Sequence, residues 1–272
     1  MSRAIAVFHG RFGRATIYQL NRPFNFHAHR EGHLIFHLAG DKGALQVAET
    51  LCRSTSATVV AVSPWEPHNF IPQDLDAGAI FFILYVNSEW FAPGGDSVRL
   101  RFGRQEIPRT PALDAQIRRA AALVYAGESL GELDRELRSL IEACYEETWR
   151  EAQAAADRRQ PARVTDFRVR KSMRLMQESL GADIELDQVA RGAGLSRPHF
   201  YKLFRTQTGL TPNLYVNTLL MEQAIEKLVR SEAAVAEIGF DLGFSSQSGF
   251  TRFFAANVGM APTDYRRAAH VV

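Results

Sequence analysis

The stretch GLSRPHFYKLFRTQTGLTPNLY, Gly194 to Tyr215, returns later in the chain as GFSSQSGFTRFFAANVGMAPTDY, Gly243 to Tyr265. Phe200, Leu203, Phe204, Gly209, Pro212 and Tyr215 of the first copy recur as Phe250, Phe253, Phe254, Gly259, Pro262 and Tyr265. The segments just upstream repeat as well. DQVARGAGL, Asp187 to Leu195, aligns with AEIGFDLGF, Ala236 to Phe244, and the second turn carries one extra serine. Each landmark has a mechanical reason. The pairs Val189/Ala190 and Ile238/Gly239 set an apolar residue beside a small one, which lets a crossing helix come close. Gly194 and Gly243 stand where a first helix ends and a left-handed residue is favoured. Ser196 and Ser246 occupy N-cap positions for a following helix, whose aromatic residues at spacings of three and four pack back on the first. Helix, glycine turn and crossing helix make a helix-turn-helix unit, built twice.

The inward positions repeat while the outward ones diverge. The first unit presents Arg197, Pro198, Tyr201, Lys202 and Arg205; the second presents Gln247, Ser248, Thr251 and Arg252. These side chains suit base edges and phosphates: Arg and Lys for guanine, Gln for adenine, Thr for a thymine methyl or a phosphate. A shared scaffold with different tips is what two readers of different base steps need. Solvated hairpins of an ordinary helical bundle would also be amphipathic, but would not need cap, glycine and aromatic landmarks in the same register twice.

Residues 166–268 resemble the DNA-binding domain of the AraC/XylS family of bacterial transcription regulators, and IGFDLGFSSQSGFTRFFAANVGMAPTDYR follows that family's signature. The resemblance implies two helix-turn-helix units joined by one long helix, Pro212 to Val229, with both reading helices in successive major-groove segments of promoter DNA. It places base contacts on Pro198, Tyr201 and Lys202 in the first unit and on Gln247, Ser248, Gly249 and Arg252 in the second. Pro198 and Gly249 have no side-chain hydrogen-bonding group, so the first unit's readout leans on Arg197, Tyr201 and Lys202. RNA polymerase and a second copy of the chain are the further partners it implies, for an activator or a repressor.

Working outward, the chain of 272 residues is long enough for two domains with cores of their own. A hydrophobic fraction of 46%, a charged fraction of 23% and a net charge of +2 describe a globular protein whose basic surface, if any, is local. Cys52 and Cys144 stand far apart in no CxxC arrangement, which argues against a disulfide framework or a zinc-thiolate site. The opening MSRAIAVFHGRFGR has too short an apolar run for a signal peptide, and no run of eighteen apolar residues occurs. The expected compartment is a reducing cytoplasm, with no membrane partner.

The first part of the chain reads as β. HLIFHLAG, ATVVAVS and GAIFFILYV are β-branched and aromatic, punctuated by GDKG (40–43), PWEP (64–67) and PGGD (93–96). From Pro111 the period turns helical: Leu113, Ile117, Ala120, Ala121 and Val124 form one stripe. Leu133, Leu137, Leu140, Ile141, Cys144, Tyr145, Thr148 and Trp149 form another. The second stripe reads as core or as a docking face. In the resembled family such helices form the dimer contact. Beyond them, helices are predicted over 166–180, 185–192, 197–208, 212–229, 234–242, 247–257 and 262–269. The expected class is α+β in two domains. A cupin-like antiparallel β-barrel or sandwich (1–110) is followed by helices packed on it (111–152), a linker (153–165) and an all-α domain (166–272).

HAHREGHLIFHLAG, His27 to Gly40, spaces His27, His29, His33 and His37 so that an extended strand would put them on one face, and PWEPH adds Glu66 and His68. The pattern resembles the cupin-like effector domain at the front of many AraC-type regulators. It also resembles metal-binding cupins, with His33 where those carry a glutamate. Three readings stay open. The histidines are core residues satisfied by backbone, or they line an effector pocket with Trp65, Glu66, Phe26, Phe82 and Tyr85. Alternatively His27, His29, His33 and His68 hold a metal. No cofactor is expected. The sequence has no Gly-rich phosphate loop ending in Lys-Ser/Thr and no GxSxG elbow, and its scattered carboxylates show no pairing that sequence can detect. The competing functional class is a metal-dependent cupin enzyme fused to a helical domain.

Overall fold

The computed structural model describes residues 2–74, 76, 78–91, 100–127, 130–150, 164–181 and 184–271. The sheet region runs β1 (Arg3–Gly10), β2 (Gly13–Leu20), β3 (Gly32–Gly40), β4 (Gly43–Val47), β5 (Thr50–Ser54), β6 (Thr58–Val62), β7 (His68–Pro72) and β8 (Ala79–Val86). It continues through a short α1 (Ser88–Phe91) to β9 (Glu106–Pro108), α2 (Pro111–Ala126) and α3 (Leu130–Trp149). The helical region holds α4 (Phe167–Glu178), α5 (Leu186–Gly192), α6 (Arg197–Thr208), α7 (Pro212–Arg230), α8 (Val235–Asp241), α9 (Gln247–Val258) and α10 (Pro262–Ala268), and closes on β10 (Ala269–Val271).

Seven strands form one sheet in the order β10-β1-β2-β8-β3-β6-β9, and three form a second, β5-β4-β7. The central strands β3 and β8 are buried on both faces, which is why AIFFILYV reads as an unbroken apolar run and HLIFHLAG as one interrupted only by His33 and His37. Pleat alternation divides them. Leu34, Phe36, Phe82, Leu84 and Val86 meet the helices α2 and α3 on one side. Ile35, Phe81, Ile83 and Tyr85 join Leu45, Val47 and Phe70 of the second sheet on the other. Phe82 therefore packs under the helices and is no wall of the space between the sheets, and Phe26 is 46% exposed.

α2 starts where its sequence says it should: the Thr110 hydroxyl accepts from Leu113 N, Pro111 fills N1, and Gly127 closes it in the left-handed region. Its expected stripe is its buried face. The α3 stripe from Leu133 to Cys144 joins the same core, so it is spent within the chain. Cys52 and Cys144 are both free and buried. The PGGD turn and most of the expected linker, residues 151–163, lie outside the described residues.

The helices from α4 onward follow the expected ranges to within about two residues, the scatter normal for helix ends. The chain end differs. Ala269 to Val271 leave the helix and pair in parallel with Val7 to His9, adding an edge strand to the larger sheet. The helical domain is thereby fastened to the strand domain. The core of its second half, with Ile238, Phe250, Phe254 and Tyr265, is continuous with the core between the sheets. Its first half packs around Phe200, Phe204 and Tyr215, together with Ala28 of the strand domain.

Candidate nucleic-acid interface and histidine cavity

The two helix-turn-helix units close their turns with the same bonds. Gly194 N donates to Arg191 O and Leu195 N to Ala190 O; Gly243 N donates to Phe240 O and Phe244 N to Gly239 O. Gly194 has φ of 73° and Gly243 of 85°, so both turns need the left-handed residue. In the second unit a Cβ on Gly239 would lie 2.9 Å from the Phe250 Cβ, which is why that position is glycine. Gly239→Val is expected to lower stability by about 1–3 kcal/mol through overpacking. A denaturation midpoint equal to that of the unsubstituted chain would remove the close-approach explanation.

The caps are not equal. The Ser246 hydroxyl accepts from Gly249 N at 3.1 Å, whereas Ser196 makes no side-chain cap bond. Pro198 at N2 has no N–H, so one of the two donors a cap can use is missing there.

On the reading helices Arg197, Pro198, Lys202, Arg205, Gln247, Ser248 and Arg252 are exposed, and Tyr201, Gly249 and Thr251 are half-buried. Lys202, Arg205 and Arg252 have no ion pair among the described residues; Arg197 is held by Asp187 at 3.0 Å. The Tyr201 hydroxyl donates to Asn213 Oδ1 at 3.4 Å. An exposed pair of the Arg197 kind contributes about 0–1 kcal/mol, so a phosphate or base edge can displace it.

The tyrosines that close each unit face the strand domain. Tyr215 stacks on Trp65, ring centres 5.3 Å apart and 24° from parallel. Trp65 holds φ of 63°, unusual for a bulky residue, with its N–H donating to His29 O at 2.7 Å. Tyr265 is fully buried, and its hydroxyl lies 3.3 Å from Arg14 Nη1 and 3.0 Å from His9 Nε2. The guanidinium can only donate, and burial with the nearby Arg14 charge pushes His9 down to about 3. A neutral His9 is therefore free to accept the Tyr265 proton. Between these anchors the Thr218 hydroxyl donates to Ala28 O and Glu222 pairs with Arg30 at 2.7 Å. Burial pushes Glu222 up to about 7 even against Arg30.

The histidines converge from two elements. His33 and His37 sit on β3, whereas His27 and His29 lie in the irregular segment before it, where His27 bridges His68 of β7. His27, His29, His33 and His68 form one buried group with ring centres 4.4–5.5 Å apart. His37 stands apart, its Nε2 2.9 Å from Asp41 O and its ring against Phe81. Glu66 turns away as well. Its carboxylate accepts from Ser63 N and Gln105 Nε2, and only its carbonyl meets His68. Tyr85, expected as a wall, meets His33 edge-on with ring centres 4.2 Å apart and carries the Arg14 guanidinium 3.7 Å from its own ring centre. That arginine was not foreseen. Its only signal in the sequence is a charge inside a strand. The cavity lined by His27, His33, His68, Leu20, Phe24 and Tyr85 is small, about 30 Å³.

A helix-turn-helix domain family model matches residues 189–268. The chain is similar to the regulatory protein PocR of Salmonella typhimurium, 34% identical over 102 residues, covering 38% of this chain and 34% of PocR. It is also similar to the transcriptional activator RhaS of Escherichia coli, 32% identical over 92 residues, covering 34% of this chain and 33% of RhaS. The chain thus spans about a third of the length of these relatives. In fold the likeness reaches further. Apo ToxT of Vibrio cholerae superposes with a TM-score of 0.62 over 93% of this chain and 96% of its own, at 12% identity. An unsaturated fatty acid bound form of ToxT superposes at 0.58 over 93% and 94%, also at 12% identity. Over residues 189–268 the chain carries a helix-turn-helix domain, and in that region it resembles AraC-type transcription regulators.

Proposed function

We propose that this chain is a one-component regulator of transcription. In this reading α6 and α9 read promoter DNA, the strand domain senses a small molecule, and the docked tyrosines link the two. One observation carries it: two units with the same closing bonds present Tyr201, Lys202 and Arg205, and Gln247, Ser248 and Arg252, to solvent or near it. Nothing in the inward scaffold requires those side chains. Arg197, Pro198, Gly249 and Thr251 complete the proposed DNA-facing set.

The proposed sensor residues are His27, His29, His33 and His68 with Trp65. His37 and Glu66 take a lesser part, since their polar atoms are engaged elsewhere. ToxT in a form bound to an unsaturated fatty acid supports a small organic molecule as the kind of ligand. The cavity of about 30 Å³ would have to open to admit one. Two continuous routes lead from the histidines to the units: His29, Trp65 and Tyr215 to the first, and His33, Tyr85, Arg14 and Tyr265 to the second. A ligand that prefers one arrangement of these contacts would shift a pre-existing equilibrium of the docked domain.

Division into 1–110, 111–152, 153–165 and 166–272 belongs to the same reading, as do a homodimer through the outer faces of α2 and α3 and contact with RNA polymerase. So does a cytoplasmic, non-enzymatic role, supported by relatives named as regulators and by an activator among them. No helix among the described residues is long and apolar enough to cross a membrane.

Gel shifts of the full chain on genomic fragments test the proposal. Specific retention is expected, with affinity falling steeply as salt rises because phosphate contacts release counterions. Absence of any sequence preference would overturn it. Within that assay Arg252→Ala is expected to weaken specific binding by about 1–3 kcal/mol and to relax preference at one base position. An equal loss on every DNA sequence would make Arg252 a phosphate contact.

A further inference from the structure

We propose that His27, His29 and His68 form a binding site for a first-row divalent transition metal ion, with His33 beside it. One ligand nitrogen from each of the three lies within 4.8 Å of the others. Imidazole nitrogens around a tetrahedral zinc stand about 3.3 Å apart, the edge set by bonds of about 2.0–2.1 Å, so a small inward rotation of the rings completes the site.

The protonation pattern points the same way. His27 Nδ1 lies 2.7 Å from Asn25 O and His68 Nδ1 lies 2.8 Å from Glu66 O. A carbonyl oxygen only accepts, so both rings carry their proton on Nδ1 and keep a lone pair on Nε2. A backbone carbonyl holding the far ring nitrogen is the usual support of a ligating histidine. Nε2 of His29, His33 and His68 is buried with no hydrogen-bond partner.

Backbone bonds satisfy one nitrogen of His27 and one of His68 and leave the inward lone pairs unmatched. Nε2 of His68 is thereby fixed as an acceptor, and Nε2 of His29 and His33 lies buried beside it without a partner; one cation can draw on several of these nitrogens together. The donor set is imidazole alone, because Glu66 is turned to Ser63 and Gln105. That composition selects zinc, cobalt, nickel, copper or iron over magnesium or calcium. The site also sits where the domains meet. Asn25 N donates to Ala256 O, Ala28 O accepts from Thr218, and His29 O accepts from Trp65 N. An ion that fixes residues 27–29 on β7 therefore fixes the surface on which the helical domain rests. This last consequence alone depends on the regulator reading.

The test uses the tag-free full-length chain, stripped by chelator and titrated with Co²⁺. A visible ligand-field spectrum saturating at one equivalent, and displaced by one equivalent of Zn²⁺, is expected. His68→Gln and His29→Gln are expected to weaken binding by roughly 100-fold or more, beyond the loss typical of outer-shell partners. Circular dichroism confirms that each variant is folded, and the unsubstituted chain decides the matter if they are not. No saturable binding in that chain, or sulfur in the zinc coordination shell by X-ray absorption, would overturn the site. Hydrogen exchange on adding Zn²⁺ is expected to slow in residues 24–30 and in 214–222; slowing confined to the strands would overturn the link to the helical domain. Neither failure touches the gel-shift result, which reports on the regulator reading separately.

Discussion

Tyr265→Ala is expected to destabilise the chain more than any other single truncation on the interface between its domains. The ring is fully buried and packs edge-on against Phe254 at 5.6 Å. Deleting an aromatic ring of that kind costs about 3–5 kcal/mol in lost transfer energy and cavity. A second loss comes from the hydroxyl. Arg14 is only 5% exposed, lies 4.0 Å from Glu31, and has the Tyr265 oxygen within hydrogen-bond reach at 3.3 Å. Removing that oxygen leaves a buried charged donor short of an acceptor, which adds about 1–3 kcal/mol. Tyr265→Phe separates the terms: it keeps the ring and is expected to lose about 1.5–3 kcal/mol, the range for hydrogen bonds to charged groups. Thermal unfolding checks both, since 1 kcal/mol moves a midpoint by roughly 2–4 °C in a domain of about 150–250 residues. If Tyr265→Phe matched the unsubstituted chain, the Arg14 contact would contribute nothing, and the second route from histidine cavity to reading helix would lose its physical basis.

That contact was invisible in the sequence, and the reason is instructive. The repeat gave away both tyrosines as landmarks because each closes its own unit through local packing, Phe204 on Tyr215 and Phe254 on Tyr265. What faces each tyrosine from the other side comes from residues about 150–250 positions away: Trp65 for one, Arg14 and His9 for the other. Periodicity carries no information about such partners. For the same reason the helices α4 to α10 were legible almost to the residue, since caps, glycines and a 3.6-residue period are local, while β10 was not. Three residues with no turn around them signal nothing until β1 supplies a ladder. The central strands show a different limit. β8 is apolar on both faces, so alternation could not tell Phe82, under α2 and α3, from Tyr85, beside the histidines. His27 and His29 were read on the strand that carries His33. They reach the same place from an irregular segment, because the chain turns between them and β3, and His27 pairs with His68. The cluster was foreseen by residue type and the path to it was not.

Phe250→Ala and Phe200→Ala are expected to cost about 3–5 kcal/mol each, as buried phenylalanines do, and their comparison tests the claim that the two units are one device made twice. Both rings are fully buried, each set edge-on to the second aromatic of its helix, Phe254 at 6.0 Å and Phe204 at 5.7 Å. The surroundings differ. Phe250 presses on Gly239 and belongs to the core shared with the sheets, so its loss should lower the unfolding of the strand domain as well. Phe200 sits in the cluster around α4 and α7, to which the strand side contributes Ala28 as its fully buried member among the described residues, so its loss should act mainly on the helical domain. Far-ultraviolet and tyrosine signals followed together would show the difference as two separating transitions for one variant and one moving transition for the other. The double variant then asks whether the units are independent. Sites with no shared partners add to within about 0.3–0.5 kcal/mol. The two clusters share Leu220 of α7 as a packing neighbour, which makes that helix the route for any larger coupling. Additive losses would mean two readers mounted on a passive rod; a coupling of 1 kcal/mol or more would mean that α7 transmits the state of one unit to the other. A cost below about 1 kcal/mol at either phenylalanine would remove the repeated chassis itself.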